Sequence, residues 1–81
     1  MTYVQKLCYH FDIKASDLER EIDRIFGKKI VAKSELKNML KDKPKPVKLN
    51  TIKCVSVVLN CDYKDMLYGT EKYCGLPVRF V

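Results

Sequence analysis

Eighty-one residues, 47% hydrophobic and 32% charged, make one small globular domain; this composition excludes a disordered chain, and no apolar run approaches the roughly 20 residues of a membrane helix. The net charge of +6 is not spread along the chain: residues 28–48 (KKIVAKSELKNMLKDKPKPVK) hold eight lysines against Glu35 and Asp42, and the bases and acids of the other sixty residues cancel. A surplus confined to one stretch makes a local positive field and points to a polyanionic partner.

Val4, Leu7, Cys8 and Phe11 fall at i, i+3, i+4 and i+7, which predicts a first helix over residues 3–11. Residues 12–15 connect it to a second helix. Ser16 at N-cap and Glu19 at N3 read there as a capping box, followed by Leu18, Ile22, Ile25 and Phe26 at helical spacing. Asp17, Glu19 and Glu21 suit the positive end of that helix, and Gly27 is its stop. Residues 28–32 form a connector with Ile30 and Val31 turned inward. A third helix is expected over residues 33–40, because Pro44 and Pro46 forbid its continuation.

Residues 50–59 carry two signals. Cys54-Val55-Ser56-Val57-Val58 reads as a strand on propensity, whereas Ile52, Val55, Val58 and Leu59 share one helical face. Asp62 is an N-cap signature for a short helix through Met66 and Leu67, ended by Gly69. The tail, TEKYCGLPVRFV, closes on Val78, Arg79, Phe80 and Val81 and reads as an edge strand or a dimer-contacting arm, with Pro77 limiting its ladder bonding.

Cys8, Cys54, Cys61 and Cys74 fit no ligand spacing, and Cys8 and His10 point to different faces of a helix, so no metal or other cofactor is expected. MTYVQKLCYHF has no signal-peptide pattern, so the expected setting is the cytoplasm, with reduced thiols. A single histidine and the absence of any nucleophile triad or phosphate-cradling glycine loop argue against an enzyme and a small-molecule substrate. Asp17, Glu19, Glu21 and Asp23 are read as a solvated helix face. The tyrosines do not interleave with the basic stretch, which argues against a single-strand stacking platform.

Rotating each residue of 33–41 by about 100° puts Lys33, Ser34, Lys37, Asn38 and Lys41 within an arc of roughly 140°. Leu36, Met39 and Leu40 fall opposite. One face would therefore pack on the domain while the other offers ammonium groups, a hydroxyl and an amide to phosphates and base edges.

From residue 31 to residue 69 the sequence resembles the Cro/CI-like (Xre-type) helix-turn-helix repressors of phages and bacteria. That family reads as a recognition helix, a basic loop ending in proline, an apolar helix, and then L-(N/G)-V-(S/D)-x-x-x-L-L-x-G. The corresponding segments here are VAKSELKNMLKDKPKP, LNTIKCVSVVLN and CDYKDMLYG. The resemblance favours a helix over residues 50–59. It implies an all-α, five-helix, lambda-repressor-like domain that binds double-stranded DNA sequence-specifically as a homodimeric regulator. It places base contacts on Lys33, Ser34, Lys37 and Asn38, and backbone contacts on Lys41, Lys43 and Lys45; Lys28 and Lys29, in the same basic stretch, are expected backbone contacts as well. The last helix and tail, through Met66, Tyr68, Val78, Phe80 and Val81, are the expected dimer surface. Glu35 should point aside. Phe26 stands where the family keeps a small residue and Ile30 where it keeps a turn glycine, so the second helix or its turn should be longer or differently angled. That departure motivates an alternative: a helix-turn-helix-derived protein that binds an acidic protein surface, such as a repressor antagonist or a phage inhibitor of a host protein.

Overall fold

Among the described residues five helices and one minimal sheet follow each other as α1 (Tyr3–His10), α2 (Ala15–Phe26), α3 (Lys33–Leu40), β1 (Val47–Lys48), α4 (Leu49–Leu59), α5 (Tyr63–Tyr68) and β2 (Val78–Arg79). The structure is a computed structural model and describes residues 1–79. Among these residues no helix is long and apolar enough to cross a membrane.

Local chemistry sets most helix ends. Thr2 caps α1: its hydroxyl accepts from the Gln5 N–H at 3.1 Å, and the Gln5 side chain accepts from the Thr2 N–H at 2.8 Å. This is a capping box written in the sequence as T-x-x-Q. The start of α2 corrects the expected Ser16 cap. Lys14 is the N-cap, and the Asp17 carboxylate, one turn on, accepts from its N–H at 2.9 Å. A charged acceptor makes the stronger bond, so Asp17 sets the boundary and Ser16 lies exposed in the first turn. Gly27 ends α2 at φ 106°, ψ 165°, a conformation essentially reserved for glycine. Asn60 ends α4 in the left-handed region, while Asp62 caps α5 and Gly69 closes it.

Residues 50–59 are helical despite their β-branched run. Thr51, Ile52, Cys54, Val55 and Ser56 are all buried, because α4 packs against α2, α5 and β1 at once. Burial on several sides outweighs a propensity difference of tenths of a kcal/mol per residue. The core draws on every helix and both connectors: Val4, Leu18, Leu36, Met39, Val47, Ile52, Val55 and Met66 are fully enclosed, with Val31 and Leu76 nearly so. Ile30 corrects the expected inward pair. It is 48% exposed while Val31 is buried. In non-helical backbone neighbouring side chains point to different sides, so only one of the two can face in.

The sheet adds a β element to the expected all-α architecture. β1 and β2 pair in parallel, Val47 with Val78 and Lys48 with Arg79. Pro77 has no N–H to give, but its carbonyl accepts from the Val47 N–H at 2.9 Å. Upstream, the Cys74 N–H donates to the Met1 carbonyl, the Tyr3 N–H donates to the Cys74 carbonyl, and the Leu76 N–H donates to the Met66 carbonyl. Residues 70–79 are thus laced onto their own domain and are not a free arm. Phe80 and Val81 lie outside the described residues.

Two expectations follow. A Cβ at Gly27 would meet nothing within 4 Å, so Gly27→Ala should cost only backbone strain, about 1–3 kcal/mol in urea denaturation, with the fold retained. Burial, assisted by nearby Cys61, pushes the Cys8 thiol from 9.0 up to about 11. The folded state therefore favours the neutral thiol; its contribution is full below about pH 9 and is lost as pH rises toward 11. Thermal melts should show the midpoint falling across that interval, less steeply in Cys8→Ala. A shallower fall is expected there rather than none, because burial also raises Cys54 and Cys61.

Candidate nucleic-acid interface

α3 divides into three faces. Leu36 and Met39 are fully buried and Leu40 packs half-buried against the core. Lys33, Ser34 and Lys37 are exposed on the opposite side, and Lys41, just past the helix end, continues that stripe. Between the two lie Glu35 and Asn38, one turn apart, and both are bonded to the backbone of the following loop. Asn38 donates from Nδ2 to the Lys45 carbonyl and accepts at Oδ1 from the Lys45 N–H, each at 2.9 Å. Glu35 accepts from the Lys48 N–H at 2.9 Å. Glu35 thus points aside, as expected. Asn38 departs from the expected base contact, since both of its polar atoms are already engaged, and the arc left free narrows to about 100°.

The loop over residues 41–48 is therefore held along its length. Gln5 of α1 donates to the Lys41 carbonyl, Asn38 holds Lys45, Pro77 takes the Val47 N–H, and Glu35 takes the Lys48 N–H. Val47 is fully buried beneath it. Lys43 stands between these ties in the left-handed region, at φ 53°. Lys41, Lys43, Lys45 and Lys48 all extend into solvent.

Charge along the stretch is uneven. Among the described residues the ion pairs are Arg20–Asp17 and Arg24–Glu21, both on α2, and none involves a lysine of residues 28–48. Lys28, Lys29 and Lys33, however, line one groove with Glu19 and Asp23. Opposite charges sharing a groove weaken its field, so Lys28 and Lys29 contribute less than their number suggests. The uncompensated density lies from Lys37 through the loop, where Asp42 is the acidic neighbour in sequence.

The other expected sites separate. Met66 is fully buried in the core and cannot be a contact surface. Val78 is half-buried and spent on pairing with Val47. Tyr68 stands 80% exposed. Among the described residues no group of three or more His, Cys, Asp or Glu side chains is placed to hold a metal ion. The ties made by Gln5, Glu35 and Asn38 escape a reading based on periodicity, because each joins a helix to backbone that is distant or irregular. A polar pair at i, i+3 beside a Pro-Lys-Pro loop was the available signal.

Comparisons with protein-family models, with curated proteins and with solved structures give no match to this chain.

Because Met66 packs inside the domain, Met66→Ala should lower stability by about 2–5 kcal/mol. Tyr68→Ala should stay within about 0.5 kcal/mol. A Met66→Ala loss that varies with protein concentration, read from denaturation at two concentrations, would return Met66 to an interface.

Proposed function

We propose that this protein binds double-stranded DNA through residues 33–48 and acts as a Cro-like, sequence-specific transcriptional regulator. The observation that carries the proposal is the run of exposed lysines, none of them in an ion pair among the described residues, that continues from the outer face of α3 into a loop tied down at several points. Lys33, Ser34 and Lys37 would face base edges, and Lys41, Lys43, Lys45 and Lys48 would take phosphates. An eight-residue helix is about 12 Å long, comparable to the width of the major groove. The resemblance of residues 31–69 to the Cro/CI-like family supports the same reading and implies a homodimer on two half-sites. Among the described residues of the expected dimer surface, Tyr68 is the one that stands widely exposed.

The connector between α2 and α3 spans residues 27–32, longer than the three or four residues of a common helix-turn-helix. α3 would accordingly enter the groove at its own angle. One observation favours the second reading, an acidic protein partner: Ile25, Phe26 and Ile30 are 42, 39 and 48% exposed and lie near Lys28 and Lys29 in sequence.

Gel shifts on a duplex selected from a random pool separate the two. Lys37→Ala should weaken binding to the selected duplex by about 1–3 kcal/mol and bind random duplex much as before. Lys43→Ala and Lys45→Ala should weaken both duplexes alike and flatten the salt dependence. Equal losses on every sequence from all three changes would remove the base-reading role. No binding to any duplex at low salt would favour the protein partner.

A further inference from the structure

We infer that Asn38 positions the phosphate-binding loop and does not read bases; the inference rests on the DNA-binding reading above. An asparagine that pairs with adenine uses its amide nitrogen and oxygen together. In this chain the same two atoms hold the Lys45 carbonyl and N–H, both at 2.9 Å. Base pairing would break both bonds and release the loop.

The sequence around Lys45 explains why the bond matters. Pro44 and Pro46 have no N–H, so across Pro44-Lys45-Pro46 the backbone offers a single donor, and Asn38 takes it. The prolines fix their own φ and restrict the residues before them. The loop is stiff on either side of one tie. Three residues on, Glu35 takes the Lys48 N–H. Two side chains one helical turn apart thus fasten the loop to α3, and helix and lysines move as one body. A loop held in its binding conformation loses less freedom when phosphates arrive.

The test is a double-mutant cycle read on a 20-bp random-sequence duplex across a salt series. Asn38→Ala should weaken binding about 2- to 10-fold, the range set by immobilising a mobile segment. It should flatten the slope of log K against log salt by about 1, the loss of one phosphate contact. Base preference, measured by selection, should not change. In the Lys43→Ala/Lys45→Ala background, Asn38→Ala should have no further effect, because it acts through those lysines. Amide exchange at Lys45 should accelerate in Asn38→Ala while the core amides stay protected. If Asn38→Ala does not fold, Asn38→Ser serves instead. It stays uncharged, its single short hydroxyl cannot replace the two amide atoms that hold Lys45, and it should give the same pattern. A changed preference at one base position with the slope unchanged, or additive losses in the cycle, overturns the inference while leaving DNA binding intact. Failure of the wild type to bind any duplex overturns both.

Discussion

The path of the backbone from Lys41 to Lys48 is the constraint on which the candidate surface depends. Left to itself, a lysine- and proline-rich connector would be a mobile polyelectrolyte, and its charges would average over many positions. Four partners remove that freedom: Gln5, Asn38, Glu35 and the Pro77 carbonyl each take a backbone group of the segment. Burial of Val47 adds an apolar anchor between the last two ties. Since the ties come from α1, α3 and the tail, the loop is only as firm as the packing of the whole domain. Substitutions far from the lysines can therefore reach them.

This arrangement runs against stability. Among the described residues the lysines of the loop form no ion pair, and like charges close in sequence repel, a repulsion only partly screened at physiological salt. The chain does form ion pairs, but on α2, through Arg20–Asp17 and Arg24–Glu21. Lys43 also occupies a left-handed backbone conformation without being glycine, a strain of about 1–2 kcal/mol. A polyanion that neutralised the lysines would relieve the repulsion. An enclosed core spanning all five helices offsets it in the free protein.

Much of the helical framework was legible from local signals. α3 occupies the residues its sequence indicated, because Leu36 and Met39 mark the buried face and the prolines prevent extension. Asp62 and Gly69 bound α5 as capping chemistry requires. Where a decision needed tertiary information, the sequence was ambiguous or misleading. Residues 50–59 carried strand and helix signals together, and packing on three neighbours decided. The edge strand read in the tail is present at Val78–Arg79, but its partner β1 is two residues long and far away in sequence, too short for any alternation to register. In sequence Met66 groups with the tail as a contact surface because Phe80 and Val81 have no obvious core role, yet Met66 is fully buried and its carbonyl accepts from the Leu76 N–H. At the candidate site, the location of the charge was readable from composition, and so was the exposure of Lys33, Ser34 and Lys37. The engagement of Asn38 was not, since a side chain's partner across an irregular loop has no periodic signature.

The central claim is that the tied lysines of α3 and its loop form a surface for duplex DNA. The most direct measurement is the affinity of the unmodified protein for a 20-bp duplex as a function of salt. Four lysine–phosphate contacts per protomer predict that log K falls linearly with log salt, with a slope of about −4 for one bound protomer and about −7 for a dimer. No binding at low salt, or an affinity nearly independent of salt, would contradict it.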